Sequence, residues 1–251
     1  MPNLKQIKTK KSRDEAGLFL IEGEKFIAEI PEKYNVLFYV ISQKYAETHD
    51  FSRHERRARC EIVRDSVLEK LADTVTPQGI IAVCEKILYK PDDVLSEIKS
   101  GFVLMGENLN DPGNVGALVR TATAAGASAV ILTRGSCDVF SPKVIRAAAG
   151  AVLRLPIIAN AEPCEIFDTL AKCAVKIYAA HPRGEFLPYD LNMREKFCLL
   201  VGNESHGISD AALARADATV RLPMTNETES LNASIAGSVL LYEAVRQRAN
   251  A

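Results

Sequence analysis

The sequence lacks the common signatures of nucleotide binding and of membrane insertion. It contains neither the GxGxxG fingerprint of a dinucleotide site nor the GxxxxGK[ST] loop of an NTPase. Nowhere do eighteen apolar residues follow one another, and the N-terminal segment MPNLKQIKTKKSRDE has no apolar core of the kind found in signal peptides. The sequence therefore disfavours a dinucleotide or nucleoside triphosphate cofactor and predicts no membrane role.

Metal-binding and serine-nucleophile patterns are also missing. The six cysteines form no CxxC pair, and no histidine stands at metal-ligand spacing. We therefore expect no metal site, and we interpret the thiols as reduced and mostly buried, as in a cytoplasmic protein. Ser205 lacks the pair of flanking glycines of a nucleophile elbow, and no catalytic triad is evident.

Charge is balanced over the whole chain but not along it. The net charge of −1 argues against a general binder of polyanions. Two basic clusters nevertheless fall in the first third of the chain, formed by Lys5, Lys8, Lys10, Lys11 and Arg13 and by Arg53, His54, Arg56, Arg57 and Arg59. These clusters indicate either contact with a nucleic acid or a solvated surface with a flexible tail.

The length of 251 residues, with 47% hydrophobic and 25% charged residues, is typical of a folded chain with two domains. Residues 1–88 predict a small α/β domain, with a helix over 24–30 and strands over 36–41 and 80–83. Residues 89–100 predict a linker that carries a short helix near Pro91. Residues 101–251 form the second domain.

The second domain shows a regular alternation of strands and helices. The strands are expected at residues 102–105, 129–133, 153–158, 175–180, 197–201 and 219–222, and the helices before Gly126, after the Ser141 N-cap, at 165–172, after the Ser209 cap and from about residue 230. Such alternation favours a parallel sheet covered on both faces. Ligands in such sheets bind beyond the carboxyl ends of the strands.

Three polar loops follow predicted strands and therefore fall on that edge. The first, 108–120, contains Asn114 as the expected N-cap of a helix and Arg120 within that helix. The second is GNESHG at 202–207, where glycines at both ends allow the backbone to approach a ligand. The third is RLPMTNETESLN at 221–232. A capped helix with a surface arginine remains the alternative interpretation of the first loop.

These three loops carry a resemblance to a known family. The segments NLNDPGNVGALVRTATAAGASAVIL, LLVGNESHGIS and RLPMTNETESLNASIAGSVLLYEAVR resemble, in order and spacing, the three motifs of the SpoU/TrmH family of RNA 2′-O-methyltransferases in the SPOUT superfamily. KKSRDEAGLFLIEGEKF and TPQGIIAV resemble the small ribosomal-protein-like substrate-binding domain that precedes the catalytic domain in many members acting on rRNA.

The resemblance implies a C-terminal parallel sheet threaded as a deep trefoil knot, an exception to the rule that chains avoid knots. It implies that the knot binds S-adenosylmethionine mainly through backbone groups. By position this assigns the cofactor to Ala180, Gly202, Leu222, Met224 and Leu231. The resemblance further implies a homodimer, with the active site completed at the subunit interface. The apolar last helix then belongs either to that interface or to the core.

By the same resemblance Arg120 is the central catalytic residue, accompanied by Asn114, Glu204, Ser230 and Asn232. The guanidinium of arginine has a pKa above about 12, so it is a poor general base. We instead expect Arg120 to position the ribose or its phosphate and to stabilise the developing alkoxide. Ser230 and Asn232 stand at a helix start, so capping that helix is their alternative role.

RNA contact is assigned to Lys8, Lys10, Lys11, Arg13 and Arg146. For Arg146 an ordinary helix-surface arginine is an equally good interpretation. The extra N-terminal domain favours structured rRNA over tRNA as the substrate, since such modules read RNA shape and single-stranded loops. A non-catalytic RNA-binding or ribosome-assembly factor and a nucleotide-dependent oxidoreductase are the alternatives from other functional classes.

Overall fold

The computed structural model describes residue 7, residues 9–225 and residues 230–249. Lys8, one of the expected RNA contacts, lies outside these ranges. The strands are β1 (Leu18–Glu22), β2 (Val36–Ser42), β3 (Arg59–Val63), β4 (Ile80–Glu85), β5 (Phe102–Gly106), β6 (Ala129–Thr133), β7 (Ile157–Ala161), β8 (Lys176–Ala180), β9 (Phe197–Val201) and β10 (Ala218–Val220). The α-helices are α1 (Lys10–Ala16), α2 (Glu24–Ala28), α3 (Gln43–Thr48), α4 (Ser52–Glu55), α5 (Asp65–Leu71), α6 (Pro91–Ser96), α7 (Pro112–Ala124), α8 (Pro142–Ala147), α9 (Pro163–Lys172), α10 (Asp210–Leu213) and α11 (Ala233–Ala249).

The first compact unit consists of Met1–Ile87 together with Phe140–Leu153. Its four-stranded sheet has the order β1-β4-β2-β3, in which β2 and β3 are parallel and the other pairs antiparallel. The two central strands are almost continuously apolar because both of their faces are covered. Helix α5 covers one face with Leu68, which packs in a cluster with Val40 and Val83.

The segment Phe140–Leu153 belongs to the first unit by its contacts, although its sequence lies in the middle of the expected second domain. The Phe140 ring lies 4.8 Å from the ring of Phe19 in β1. The Arg146 guanidinium bonds the carboxylate of Asp73 at 2.6 Å. Ser141 caps α8 as expected, because its hydroxyl accepts from the Val144 N–H.

The second unit consists of Leu88–Val139 and Arg154–Ala251. Its six strands are all parallel, in the order β10-β8-β9-β5-β6-β7. Strands β5 and β9 are buried along their whole length, which matches their uninterrupted apolar sequences. The predicted α/β architecture with a parallel sheet is therefore confirmed. The trefoil knot stays a prediction.

Several expected boundaries were wrong. The apolar run at 153–158 is not one strand, because a 3-10 turn at Ala151–Leu153 comes first and β7 begins only at Ile157. Leu153 is fully buried in that turn, so burial alone produced the strand-like pattern. Helix α2 ends at Ala28 rather than at residue 30. The short helix expected near Pro91 is present as α6, and its Leu95 is fully buried in the core of the second unit.

The second basic cluster takes part in the fold of the first unit. Arg57 donates hydrogen bonds to the backbone carbonyls of Ile30, Pro31 and Tyr34. Arg53 pairs with Glu24 at 3.3 Å. Within the described part of the chain, no helix has both the length and the apolar character of a membrane span.

Candidate active site

The residues assigned to the cofactor, and most of those assigned to catalysis, gather at the carboxyl edge of the six-stranded sheet. Since all the strands are parallel, the loops after β5, β8, β9 and β10 leave from the same edge. Three of these loops surround a pocket of about 520 Å³. All five residues assigned to the cofactor line it, together with three of the catalytic set: Ala180, Gly202, Leu222, Met224, Leu231, Glu204, Ser230 and Asn232.

The wall of this pocket after β9 is a tight turn that requires glycine at its start. A Cβ atom on Gly202 would lie 2.3 Å from the backbone carbon of Gly207 and 2.4 Å from the nitrogen of Ile208. Two backbone hydrogen bonds between Asn203 and Gly207, of 3.0 and 2.8 Å, close the turn. The backbone of this loop therefore forms the pocket wall directly.

Asn203 organises this turn, and the sequence interpretation did not single it out. The Asn203 side chain is buried and accepts hydrogen bonds from the backbone N–H groups of Ser205 and His206. Its amide nitrogen donates to the Asn108 carbonyl at 2.8 Å, which connects the loop after β9 to the loop after β5. An asparagine next to a glycine in a strand-end loop is the signal that predicts such backbone bonding.

The polar residues at the rim form one hydrogen-bonded network. The Asn114 amide nitrogen donates to a Glu204 carboxylate oxygen at 2.6 Å. The Asn114 amide oxygen accepts from the Asn232 amide nitrogen at 3.0 Å and from the Ser234 hydroxyl at 3.1 Å. Ser234, which is buried, was also missed by the sequence interpretation. The network connects the first turn of α7, the loop after β9 and the start of α11.

The helix caps differ from the expected ones. Asn114 is not the N-cap of α7, because the Asp111 carboxylate accepts from the Asn114 N–H at 2.8 Å and Pro112 opens the helix. This arrangement frees the Asn114 side chain for the network. Asn232 caps α11, since its side-chain oxygen accepts from the N–H groups of Ser234 and Ile235. Ser209 caps α10 as expected.

Arg120 lies apart from this network within the described chain. It is exposed on α7, about 9 Å further along the helix axis than Asn114 and roughly 120° around it. It does not line the pocket, and its guanidinium makes no hydrogen bond or ion pair with another described residue. The adjacent Thr121 bonds Ser238 of α11 at 2.9 Å, so Arg120 stands beside the contact between α7 and α11.

The expected RNA contacts divide into exposed and structural residues. Lys10 and Lys11 are exposed on α1. The Arg13 side chain is instead buried and donates to the Ile7 carbonyl at 3.1 Å, which makes it a structural residue of the first unit. Arg146 is partly buried and held by Asp73. The described residues include no group of three or more His, Cys, Asp or Glu side chains arranged to hold a metal ion.

Comparisons with known proteins agree with this geometry. Residues 101–242 match the SpoU rRNA Methylase family, and residues 2–82 match the MRM3-like substrate binding domain. The chain is 32% identical to the Bacillus subtilis 23S rRNA (guanosine(2553)-2′-O)-methyltransferase RlmP, over 95% of this chain and 92% of that protein. It is 29% identical to a Streptomyces viridochromogenes 23S rRNA (uridine(2479)-2′-O)-methyltransferase, over 94% of this chain and 85% of that protein.

Solved structures of methyltransferases are also similar to this chain. The S. viridochromogenes SpoU methyltransferase AviRb, in complex with S-adenosylmethionine (AdoMet), superposes with a TM-score of 0.89 at 28% identity, covering 98% of this chain and 96% of that one. An AdoMet-bound rRNA methyltransferase from Sinorhizobium meliloti gives a TM-score of 0.86 at 27% identity, with 97% and 92% of the two chains covered. The chain belongs to the SpoU rRNA methylase family.

Proposed function

We propose that this protein transfers the methyl group of S-adenosylmethionine to a ribose 2′-hydroxyl of ribosomal RNA. The observation that carries the proposal is the pocket at the carboxyl edge of the six-stranded sheet, with the network of Asn114, Glu204 and Asn232 at its rim. The family match, the curated relatives and the AdoMet-bound structural neighbours support this reaction.

The pocket fits S-adenosylmethionine in size and in chemistry. Its volume of about 520 Å³ lies within the ordinary range for small-molecule sites. The backbone groups of Leu222 and Met224 make no hydrogen bond to another described residue, so they are available to a ligand. Apolar side chains of Leu222, Met224 and Leu231 supply the contacts that the adenine ring and the aliphatic part of the methionyl chain require.

The cofactor, when bound, supplies a methyl group already activated by the positive sulfur. The protein has to align the ribose hydroxyl with that methyl group and stabilise the charge that develops on the oxygen. Glu204 and Asn232 line the pocket and present an acceptor and a donor at its rim. Arg120 supplies the positive charge that holds the ribose or its phosphate.

A homodimer explains the position of Arg120. Helix α11 exposes a stripe of apolar side chains, Ile235, Val239 and Tyr242, each about half exposed. We define these three residues as the α11 stripe. Stripes of this kind mark interaction surfaces, and helix spacing places the three side chains on one face. A second copy that covers the α11 stripe buries Arg120 at the interface, where it takes part in an active site shared by the two subunits.

The first unit presents the ribosomal RNA. Its match to a substrate-binding domain and the exposed Lys10 and Lys11 support this role. The exposed lysines add a salt-dependent attraction to phosphate groups. Because rRNA is modified where ribosomes are assembled, we place the enzyme in the cytoplasm.

The test is methyl transfer from tritiated S-adenosylmethionine to rRNA and to tRNA, followed by alkaline hydrolysis. A 2′-O-methyl group blocks cleavage of the neighbouring phosphodiester, so the label is expected in alkali-resistant dinucleotides of rRNA. Label in single nucleotides would indicate base methylation and refute the proposal. Transfer to tRNA alone would keep the reaction and refute the substrate. Loss of a defined 2′-O-methyl group from the rRNA of a deletion strain then identifies the nucleotide.

A further inference from the structure

We propose that the N-cap of α11 sets the direction of a hydrogen-bond chain that orients Glu204, with Asn232 and Ser234 as positioning residues. The chain runs from Asn232 through Asn114 to Glu204. The inference rests on the proposed methyl transfer. It explains why the side-chain amides of Asn232 and Asn114 must each adopt one orientation for that reaction.

The donor-to-acceptor direction of the chain is fixed first by backbone N–H groups, which can only donate. The N–H groups of Ser234 and Ile235 lie 2.9 and 3.3 Å from one side-chain atom of Asn232. A backbone N–H only donates, so that atom must be the amide oxygen. The amide nitrogen of Asn232 therefore points away from the helix start, toward Asn114 at 3.0 Å.

The same reasoning fixes Asn114. A donor from Asn232 requires the Asn114 oxygen on that side, and the Ser234 hydroxyl, which lies 3.1 Å from the same Asn114 atom, fits that assignment. The Asn114 nitrogen is then left to face Glu204, which it meets at 2.6 Å. An ionised carboxylate only accepts, and the short distance is typical of a charge-assisted bond. Each step of the chain thus follows from the cap.

The consequence is a carboxylate held at the pocket by one oxygen. The second Glu204 oxygen makes no hydrogen bond to another described residue, while Glu204 lines the pocket. It is placed to accept a hydrogen bond from the ribose hydroxyl and so to orient it. Ser234 is 7% exposed, and its hydroxyl oxygen lies 2.7 Å from the Asn232 oxygen and 3.1 Å from the Asn114 oxygen, so its single proton is shared between the two acceptors. Ser234 thereby holds the two side-chain amides in their observed orientations.

The substitution Asn232→Asp separates this role from capping. Aspartate caps a helix at least as well as asparagine, so the melting temperature stays at the wild-type value. The introduced carboxylate cannot donate to Asn114, whose amide must rotate and turn its oxygen toward Glu204. Two acceptors then face each other, and kcat falls by roughly 100-fold, as expected for a misplaced reacting group. The Kd for S-adenosylmethionine, measured by calorimetry, changes little.

A second substitution, added to the first, tests the donor-to-acceptor direction of the hydrogen-bond chain. In the Asn232→Asp background, Glu204→Gln supplies an amide nitrogen that donates to the rotated Asn114 oxygen. The double variant is therefore expected to be more active than Asn232→Asp alone. Ser234→Ala lowers kcat more than the matched change Ser238→Ala one turn further along α11, where the hydroxyl bonds Thr121 instead. Ser238→Ala keeps wild-type activity.

The proposal is overturned if Asn232→Asp is as active as the wild type, or if its melting temperature and its affinity for S-adenosylmethionine both fall, as loss of the helix cap would cause. A readout without catalysis is hydrogen exchange of residues 202–207 in the cofactor-free protein, which Asn232→Asp accelerates and Ser238→Ala does not. Unchanged exchange in Asn232→Asp also refutes the chain. A wild type that binds S-adenosylmethionine but methylates no RNA refutes the proposed function, while the exchange experiment still decides the hydrogen-bond chain.

Discussion

The amide nitrogen of Asn114 donates a 2.6 Å hydrogen bond to the carboxylate of Glu204, ninety positions further along the chain. Asn114 lies in the first turn of α7, which follows β5, and Glu204 lies in the loop after β9; β5 and β9 are neighbouring parallel strands. The hydrogen bond between the start of α7 and the loop after β9 closes one side of the pocket rim. Substitutions around this rim separate cofactor binding, methyl transfer and assembly.

Arg120→Ala is expected to abolish methyl transfer while leaving the affinity for S-adenosylmethionine unchanged, because Arg120 does not line the pocket. Removal of one charge that stabilises an oxyanion typically lowers kcat by about 100-fold to 1,000-fold. Tritium transfer to rRNA and cofactor calorimetry measure the two effects. Arg134→Ala is the matched control, since Arg134 is an exposed arginine of the same unit that pairs with Glu162. Equal transfer by Arg120→Ala and the wild type would remove Arg120 from the mechanism.

Gly202→Ala is expected to weaken cofactor binding by at least about 10-fold, because the added methyl group would overlap the backbone of Gly207 and Ile208 and displace the pocket wall. Calorimetry with S-adenosylmethionine measures the loss. Gly17→Ala is the control. Gly17 has a positive φ of 65° but open space around its Cβ position. That change lowers the melting temperature without weakening the cofactor. Wild-type affinity in Gly202→Ala would show that the turn adapts.

Val239→Glu is expected to dissociate the proposed homodimer. The side chain is 48% exposed in the single chain, so a charge there costs the fold little but is costly in an apolar interface. Size-exclusion chromatography with light scattering measures the mass, and methyl transfer is lost with the dimer. The control Val75→Glu, at a residue that is 99% exposed, is expected to keep the dimeric mass and the methyl transfer activity. A wild type of monomeric mass with full activity contradicts the shared active site.

The double change Lys10→Ala with Lys11→Ala is expected to weaken rRNA binding and to reduce the slope of its salt dependence by about 1 to 2, without lowering the melting temperature. Arg146→Ala is expected to lower the melting temperature and to leave rRNA binding and its salt dependence unchanged, since the Arg146 guanidinium is bonded to Asp73. Fluorescence anisotropy over a salt series and thermal melts measure the two properties. A large loss of RNA affinity in Arg146→Ala would restore that arginine as an RNA contact.

The first unit is expected to lose stability on acidification through His54. Burial, and then the neighbouring Arg53, lower the pKa of His54 below its ordinary value of 6.5. The unfolded chain therefore binds the proton more tightly, and stability falls as the pH drops below about 6.5 toward the lower folded-state pKa. His54→Phe removes this titration and retains a ring beside Tyr39, 4.8 Å away. Its melting temperature should fall less than that of the wild type between pH 7.5 and pH 5.5. Equal falls would exclude His54 as the cause.

The sequence predicts a helix or strand well where a single physical requirement, such as burial, determines its residues. Strand β9 was predicted with its observed ends because five buried apolar residues precede a glycine. The prediction that Asn114 is the N-cap of α7 was wrong, because Asp111 is an equally good capping residue by type and its carboxylate accepts from the Asn114 N–H. The burial of Arg13 was also hidden, since charge patterning does not reveal a contact with the Ile7 carbonyl. The pocket residues were identified through the family resemblance, whereas Asn203 and Ser234 required the hydrogen-bond geometry.

The segment Phe140–Leu153 imposes an order on the biogenesis of the protein. The first unit draws most of its residues from the beginning of the chain, yet it also needs Phe140 beside Phe19 and Arg146 beside Asp73. During synthesis it cannot be completed until this segment has left the ribosome, when part of the second unit has already emerged. A fragment that ends at Ile87 would leave the Phe19 ring without its Phe140 neighbour. The first unit therefore depends on a segment that is synthesised after the start of the second, and a single cut of the chain cannot release it with all its residues.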